Sequence, residues 1–377
     1  MTQKAPEEIQ GIVQPPVRVL ITGGGTGGHV YPGLAVAASI EKLAPGGEIR
    51  FAGTKRGIES VLVPRAGYRL TTLPASGLRG LTGRARIMFL VNFFLGFCRS
   101  LLMFLMWRPK VVLGTGGYVS APVMLAARTL GITCALQEQN AIPGSTNRLV
   151  ARWAKRIYLG FGGAAKFFKS GRCLETGNPV RAEFLDAAGA GKIDEVAVGH
   201  HLLVFGGSRG AATLNGAVAA AAPVWAERGD LSVLVQTGPR QREEVATAFG
   251  SGSAGSCEVV SYIDDMASAL HKADLVVCRA GAMTLAELQA VGRPAVLVPF
   301  PFATDDHQLR NAEDCARAGA ALVLKDDVCT GPALVDLVDE LLNDPLRLDG
   351  MSAAALGMAR PKAADDIAAD ILRMAAG

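Results

Sequence analysis

The sequence predicts an α/β fold made of two domains, each built on a parallel sheet. Three observations lead to this prediction. The chain has 377 residues, which is long for a single domain. Short apolar runs alternate with longer stretches of helical periodicity, as in repeated strand–helix units. The alternation also restarts halfway along the chain with an apolar run, a glycine-rich turn and a helix, so we expect two similar halves.

The predicted strands are apolar runs bounded by turn residues. Those of the first half are 17–22, 49–53, 111–114, 133–137 and 157–159. Those of the second half are 201–205, 232–236, 257–260, 275–278 and 295–299. We place the domain boundary beside Pro179, because proline disfavours helix and suits a linker. This gives a flexible extension at 1–16, a first domain at 17–178 and a second at 179–359, while the amphipathic C-terminal stretch could pack against either half.

The composition excludes a disordered chain and a disulfide-rich one. Half of the residues are hydrophobic and 19% are charged, a balance that supplies two cores. The seven cysteines are dispersed without a Cys-x-x-Cys pair, which fits a reducing cytosol and gives no sign of a zinc site. The first 16 residues are polar and lack the apolar core of a signal peptide, so we expect no secretion signal.

The basic residues are concentrated in one segment. Although the formal net charge is only +4, residues 51–110 contain ten Arg or Lys and a single acid, Glu59. Such a segment predicts an anionic partner: a phosphate-bearing ligand, a nucleic acid or an acidic membrane surface.

A nearly continuous apolar stretch lies inside this segment, at 87–107. As a helix rising about 1.5 Å per residue it would extend roughly 30 Å, enough to cross a bilayer. Arg99 within the stretch and the apolar run 111–114 directly after it oppose spanning, because a spanning helix would separate strands of one sheet. A core helix and an interfacial apolar patch ringed by arginines remain, and we favour the interfacial patch.

The stretch ITGGGTGGHVYPG at 21–33 places five glycines between an apolar run and a helix. Such a turn exposes backbone N–H groups at a helix N-terminus, where an anion binds well. Gly23, Gly25 and Gly28 match the dinucleotide pattern GxGxxG, but the acid required at the end of the second strand is missing, and Glu48 lies at its start. No Lys-Ser/Thr pair follows the glycines, which excludes a P-loop. The turn is therefore predicted to face a phosphate or a sugar in another way.

His29 directly follows this turn and is the candidate general base. A histidine titrates near neutral pH and accepts a proton from a hydroxyl group. Beside a helix N-terminus its cationic form is disfavoured, so we expect a neutral imidazole. The alternative is a histidine at a helix start that only forms a hydrogen bond.

Motifs that occur in order along the chain are GGGTGGHVYPG, LGTGGYVSAP, QEQNAIPGSTN, GNPVR, GGSRGA, YIDDM, CRAGAMTLAEL and GRPAVLVPFPFATDDHQLRNA. Together they resemble the MurG family of N-acetylglucosaminyltransferases over about 17–375. The resemblance implies the GT-B fold: two Rossmann-like domains with parallel sheets facing across a cleft, and a C-terminal helix at about 360–377 returning to the first domain. It also implies an inverting hexosyltransferase that moves GlcNAc from UDP-GlcNAc to the C4 hydroxyl of MurNAc in lipid I. The product would be lipid II, used in peptidoglycan synthesis.

The resemblance also implies where the enzyme acts and with what. The expected partners are UDP-GlcNAc, lipid I, an anionic membrane surface and other cell-wall synthesis proteins, with no nucleic acid. No metal or other cofactor is expected. The expected location is peripheral, at the cytoplasmic face of the bacterial inner membrane. The residues that would form the membrane patch are Arg79, Arg84, Arg86, Phe93, Phe94, Phe97 and Arg108.

Roles for individual residues follow from the same resemblance. His29 would be the base, with Glu138 as the second candidate. Glu287 would bind the ribose, Ile263 the uracil and Gln308 the GlcNAc hydroxyls. The other expected donor contacts are Thr26, Gly27, Gly28, Asn140, Arg181, Ser208, Ala282, Met283, Thr284, Leu285 and Ala286. The expected contacts of the acceptor and its diphosphate are Gly25, Gly116, Gly117, Tyr118 and Asn147.

Some positions depart from the family pattern, and some alternatives stay open. Gln137 stands where many members have histidine, Ala280 where they have serine, and Arg209 where glutamine is more common. Glu287 also fits a capping box with Thr284, which would be a purely structural role. The alternative functions are another UDP-sugar GT-B enzyme, such as a glycolipid glycosyltransferase or a UDP-GlcNAc 2-epimerase, and a non-catalytic membrane scaffold that binds nucleotide sugars.

Overall fold

The structure is a computed structural model that describes residues 16–77, 82–169, 171–186, 199–207, 210–250, 256–303 and 306–377. The first sheet contains β1 (Arg18–Gly23), β2 (Glu48–Gly53), β3 (Arg69–Thr72), β4 (Val111–Gly116), β5 (Thr133–Glu138), β6 (Arg156–Leu159) and β7 (Cys173–Glu175). The second contains β8 (His200–Phe205), β9 (Leu231–Gln236), β10 (Cys257–Val260), β11 (Leu275–Cys278), β12 (Ala295–Leu297) and β13 (Ala321–Val323).

Both sheets are parallel and doubly wound. Their strand orders are β3-β2-β1-β4-β5-β6-β7 and β10-β9-β8-β11-β12-β13. All ten predicted strands are present, to within two residues at each end. The prediction missed β3, β7 and β13, each of which is a short strand at a sheet edge. An edge strand buries less of its surface than a central strand, so it has no continuous apolar run to reveal it.

Helices connect the strands in both halves. The first half contains α1 (Gly27–Leu43), α2 (Glu59–Arg65), α3 (Arg84–Trp107), α4 (Ser120–Thr129) and α5 (Ser145–Val150). The second half begins with α6 (Ala212–Ala226), α7 (Arg242–Phe249), α8 (Met266–Lys272), α9 (Ala282–Val291) and α10 (His307–Arg317). It ends with α11 (Gly331–Leu342), α12 (Pro345–Met358) and α13 (Ala363–Ala376).

Each sheet has an apolar core on both faces. Alternate residues of β1 point to opposite sides: Ile21 packs with α1 and α13, and Leu20 with α3 and α4. In the second half, α6, α7 and α11 cover one face, and α8, α9 and α10 cover the other. Helices cover both faces of each sheet, so a ligand can reach the strands mainly at their ends. The glycine-rich turns lie at the carboxyl ends of the strands, which is where open α/β sheets bind ligands.

The last helix, α13, lies on the first domain. Ile367 and Ile371 are buried in the same cluster as residues of α1. The Tyr158 hydroxyl donates a hydrogen bond of 2.9 Å to Asp370, which fixes the helix to β6. The chain therefore crosses from the second domain back to the first at its C-terminus.

The helix α3 has two distinct parts. At its C-terminal end Phe104 and Trp107 are buried in the first-domain core, so the core-helix interpretation holds for this end. Among the described residues it is the one helix long and apolar enough to cross a membrane, with a mean hydropathy of 1.9 and 22% of that stretch buried. The rest carries a large exposed apolar face; its most exposed members are Ile87, Met88, Leu90, Phe94, Leu102, Leu105 and Met106.

This exposed face differs in detail from the predicted membrane patch. Phe94 is 63% exposed, but Phe93 and Phe97 pack partly against the first-domain core, because they project from the inner side of α3. The side chains of Arg84, Arg86 and Arg108 are exposed, while Arg79 lies outside the described residues.

Candidate active site

The first glycine turn is held from beneath by a buried carboxylate. Glu59, only 1% exposed, accepts hydrogen bonds from the Gly25 amide at 3.0 Å and from the Thr54 amide and hydroxyl at 2.8 and 2.7 Å. In the sequence Glu59 stands out only as the single acid of the basic segment, and no role was predicted for it. Because Glu59 already binds the Gly25 amide, this turn offers a ligand one N–H fewer than its glycine content suggests.

A second turn of the first domain lies directly beside it. After β4 the backbone has positive φ at Gly116 (111°) and Gly117 (80°), a conformation that favours glycine. The Gly24 amide donates to the Gly116 carbonyl at 3.3 Å, so the two turns are joined. Tyr118 lies over Gly25, where an added Cβ would be 3.6 Å from its ring. Four of the residues predicted for the acceptor are thus neighbours at one edge of the sheet.

His29 lies in the first turn of α1 against these glycines. Its Nδ1 is 3.1 Å from the carbonyl oxygen of Thr115. Since a carbonyl can only accept, Nδ1 carries the proton and Nε2 keeps its lone pair. Burial lowers the pKa of His29 below its ordinary value, while the neighbouring Gln139 side chain, the hydrogen bond to the Thr115 carbonyl and the charge of Glu59 oppose the shift. The imidazole is therefore neutral near pH 7 and basic at Nε2.

Glu138, the second candidate base, is fully engaged inside the protein. It is 1% exposed and accepts hydrogen bonds from the Asn140 amide at 2.9 Å, the Asn147 side chain at 2.8 Å and the Gly144 amide at 3.3 Å. Burial raises its pKa and these donors oppose the rise. The carboxylate holds the loop after β5 in place, so the geometry favours His29 over Glu138 as the base.

Two buried asparagines join the domains beside this loop. Asn311, on α10, accepts from the Ala141 amide at 3.0 Å and donates to the Asn140 side chain at 3.3 Å. Asn178 donates to the Gln139 carbonyl at 3.0 Å and to the Ala282 carbonyl at 3.5 Å. Neither asparagine was predicted to belong to the site, although Asn178 lies in the motif GNPVR and Asn311 in the motif that ends in HQLRNA.

Glu287 faces the linker between the domains. Burial raises its pKa to about 7; Arg181 opposes the shift and Glu183 adds to it. An Arg181 nitrogen is 3.9 Å from the Glu287 carboxylate, and the guanidinium stacks 4.3 Å from the ring of Tyr31 on α1. The capping-box alternative is wrong, because α9 begins after the N-cap Gly281 and Thr284 lies within the helix.

The other predicted donor residues divide into those on open turns and those in the core. Thr26 is the exposed N-cap of α1, before Gly27 and Gly28. On α9, Ala282, Met283 and Leu285 are buried, whereas Thr284 and Ala286 are partly exposed. Because the side chains of Ala282, Met283 and Leu285 are buried, these residues can contact a ligand mainly through the backbone at the start of α9.

Three further predicted positions lie around the second-domain turns. Ile263 is half-buried after β10, and Gln308 uses its Oε1 to accept from the Phe300 amide at 3.0 Å. Ser208 lies outside the described residues, as does Arg209. On either side of them the backbone has positive φ at Gly207 (87°) and Gly210 (74°). The described part of this turn leads into α6 just as the first turn leads into α1.

The two facing α/β domains, each with a glycine turn at the carboxyl ends of its strands, define the GT-B fold, and the family models that match the chain are those of glycosyltransferases. The N-terminal domain of glycosyltransferase family 28 matches residues 19–159, and the C-terminal domain of that family matches residues 201–367. The chain belongs to this family and, within it, to the MurG enzymes, as its relatives indicate.

The relatives match along nearly the whole chain. The chain is 42% identical to the UDP-N-acetylglucosamine–N-acetylmuramyl-(pentapeptide) pyrophosphoryl-undecaprenol N-acetylglucosamine transferase of Geobacter metallireducens, covering 94% of this chain and 98% of the relative. It is 41% identical to the Geobacter sulfurreducens enzyme of the same name, covering 93% and 97%. The crystal structure of Acinetobacter baumannii MurG superposes with a TM-score of 0.74 at 30% identity, covering 95% of this chain and all of that one.

A UDP-GlcNAc 2-epimerase from Neisseria meningitidis shares the fold alone. Its structure superposes with a TM-score of 0.66 at 11% identity, covering 95% of this chain and all of that one. The expected family and GT-B fold are confirmed, and the epimerase alternative receives no support beyond the shared architecture.

Proposed function

We propose that the protein transfers GlcNAc from UDP-GlcNAc to the C4 hydroxyl of MurNAc in lipid I and so forms lipid II for peptidoglycan synthesis. The observation that carries this proposal is the 42% identity, over 94% of the chain, to a transferase whose name states the donor sugar and the acceptor. The neutral imidazole of His29 at the junction of two glycine turns supplies the base that this reaction needs.

The reaction is a single displacement at the anomeric carbon. Nε2 of His29 takes the proton of the C4 hydroxyl while that oxygen attacks C1 of GlcNAc. The bond between C1 and the phosphate oxygen breaks, and its electron pair leaves with UDP, so the configuration inverts to β. Holding both sugars in line contributes up to about 7–11 kcal/mol of the lowered barrier.

The donor binds mainly to the second domain. Glu287 accepts hydrogen bonds from the ribose hydroxyls when it is ionised. Ile263 meets the uracil through its backbone, and the side-chain amide of Gln308 donates to GlcNAc hydroxyls. The glycine turn that includes Ser208 stabilises the charge of the departing diphosphate with its N–H groups and the start of α6. Donor contacts assigned to the first domain, the linker and α9 are Thr26, Gly27, Gly28, Asn140, Arg181, Ala282, Met283, Thr284, Leu285 and Ala286.

The acceptor binds to the first domain beside the membrane. Gly116, Gly117 and Tyr118 contact the lipid diphosphate together with Gly25, whose contribution is limited by the use of its amide in binding Glu59. Asn147 adds a side-chain amide near this site. The exposed face of α3 enters the bilayer interface, and Arg84, Arg86 and Arg108 meet anionic headgroups. The enzyme would thus be peripheral at the cytoplasmic face of the inner membrane.

The test is transfer of radiolabelled GlcNAc to a lipid I analogue. We expect His29→Ala to lower kcat by about 100-fold or more, as loss of a general base does, with the affinity for UDP-GlcNAc nearly unchanged. The matched control is His200→Ala, because His200 lies at the amino end of β8, whereas the glycine turn follows the carboxyl end of that strand. Unchanged turnover in His29→Ala would remove His29 from the mechanism. UDP-GlcNAc binding by the wild type with no transfer would favour the scaffold alternative.

A further inference from the structure

The side chain of Gln139 lies behind the catalytic turn. Gln139 follows β5 and is 2% exposed. Its Nε2 donates to the Thr115 carbonyl at 2.5 Å, the same oxygen that accepts from Nδ1 of His29. The Gln139 amide therefore fixes the carbonyl that orients the ring.

This arrangement selects one tautomer of His29. The Thr115 oxygen has two lone pairs, one for Gln139 and one for Nδ1–H. With the Nε2–H tautomer, a lone pair on Nδ1 would face the lone pair of the carbonyl, and the buried oxygen would lose a donor. Losing such a partner is costly inside a protein. The proton is thus held on the ring nitrogen that faces the protein, and Nε2 stays open as an acceptor.

The Gln139 amide is also the first member of a series of hydrogen-bonded side chains that reaches the second domain. Nε2 of Gln139 also donates to Oε1 of Gln137, and Gln137 donates to Asn178 at 2.9 Å. Asn178 in turn donates to the Ala282 carbonyl, at the start of α9. The three side chains of this series are all carboxamides, so none of them changes its charge near neutral pH. A family histidine at position 137, which Gln137 replaces, would have made one link titratable.

We propose that Gln139 is a positioning residue that keeps His29 in the Nδ1–H tautomer and joins it, through Gln137 and Asn178, to the start of the donor-binding helix α9. The inference rests on the proposed function only in naming His29 as the base. The position and the contacts of Gln139 stand without it.

The first test is nitrogen NMR of the protein labelled with ¹⁵N-histidine, with the His29 signals among the five histidines assigned from their loss in His29→Ala. We expect protonated Nδ1 and unprotonated Nε2 in the wild type. In Gln139→Met, which keeps the volume but has no donor, the Thr115 carbonyl is no longer held towards Nδ1, so we expect a mixture of tautomers. We also expect kcat to fall about 10-fold, as for other groups that orient a functional histidine, with KM for UDP-GlcNAc unchanged. The control is Gln289→Met, since Gln289 is a half-buried glutamine on α9 whose side-chain amide donates to the sulfur atoms of Cys315 at 3.5 Å and Met358 at 3.9 Å.

A second variant, Gln139→Glu, fills the same space but adds a negative charge. It should move the acidic limb of the kcat–pH profile to higher pH, because a carboxylate stabilises the imidazolium. Glu59 and His307 also act on this ring and are present in every variant compared. A merely structural role for Gln139 would leave the tautomer unchanged in Gln139→Met.

The outcomes separate this inference from the proposed function. An Nε2–H tautomer in the wild type overturns the role of Gln139 without any variant, so the result does not depend on whether Gln139→Met folds. A retained Nδ1–H tautomer with unchanged kcat in a folded Gln139→Met overturns it as well. If His29→Ala keeps full transfer activity, the assignment of the base fails, whatever the tautomer experiment shows.

Discussion

The imidazole of His29 lies directly against the backbone of Gly116. A Cβ atom added to Gly116 would be 2.7 Å from Nδ1 of His29 and 2.8 Å from Cε1, closer than carbon atoms approach in folded proteins. Gly116→Ala should therefore push the ring out of line with the Thr115 carbonyl. We expect kcat to fall by about 100-fold, since small displacements of a catalytic group have effects of this size, as measured in the GlcNAc transfer assay.

The matched control for this variant is Gly131→Ala. Gly131 also has a positive φ, of 69°, but nothing lies within 4 Å of its added Cβ. Gly131→Ala strains the backbone by about 1–2 kcal/mol. Gly116→Ala adds a clash with His29 to its backbone strain, so both variants should lower the melting temperature, Gly116→Ala by more. Only Gly116→Ala should lose activity. Equal activity in the two variants would show that the contact between ring and glycine does not matter.

The raised pKa of Glu287 predicts two pH dependences of opposite sign. Burial raises this pKa to about 7, above the value of about 4.3 in an unfolded chain. The folded state therefore holds a proton that the unfolded state releases. The stability contributed by this group is complete below the unfolded pKa and is lost as the pH rises through about 7. The free energy of unfolding, measured in urea, should show this loss, and Glu287→Gln should abolish it.

Binding of the donor should change in the opposite direction. Only the ionised carboxylate accepts hydrogen bonds from both ribose hydroxyls, so UDP-GlcNAc should bind more tightly as the pH rises. The ionised fraction of a group with a pKa of about 7 rises roughly 30-fold between about pH 5.5 and 8, so we expect the dissociation constant, measured by calorimetry, to fall by up to that factor. Glu287→Gln should bind weakly at every pH. An affinity that is independent of pH in the wild type would contradict the role of Glu287 in binding the ribose.

The central strands were predictable, because burial on both faces leaves a continuous apolar signal in the sequence. The six residues of β4 are all buried, whereas β3 has no fully buried residue and was missed. The end of α3 was predicted less well, since nothing in the apolar stretch itself shows that Phe104 and Trp107 enter the core while Phe94 does not. That division depends on which side of the helix meets α4.

The candidate site was predictable only for residues that belong to a recognisable motif. His29 and Glu287 belong to motifs that could be read directly. Glu59, Gln139 and Asn311 act through partners that lie 34, 24 and 170 residues away in the chain. A local sequence pattern does not indicate contacts over such distances in the chain. Glutamate, glutamine and asparagine are mostly exposed in proteins, so their burial at these positions could not be predicted before the fold was known.

The exposed face of α3 predicts binding to anionic membranes through two contributions that can be tested separately: insertion of apolar side chains and attraction of arginines to acidic headgroups. Phe94 is 63% exposed and would lose its insertion into the bilayer interface in Phe94→Asp. The control is Leu346→Asp, because Leu346 is 84% exposed on α12 of the second domain, away from this face. We expect sedimentation with vesicles to fall for Phe94→Asp and to stay at the wild-type level for Leu346→Asp.

The electrostatic contribution is tested with Arg84→Glu combined with Arg86→Glu. Each arginine near an anionic surface contributes about 1 kcal/mol, so losing two lowers partitioning onto vesicles rich in acidic lipid by roughly 10-fold or more. The loss should shrink at high salt, because exposed charges are screened, and it should be absent on zwitterionic vesicles. Phe94→Asp should instead weaken binding to both kinds of vesicle. If all of these variants partition like the wild type, α3 is not the docking surface, and its apolar face must be covered by something other than a membrane.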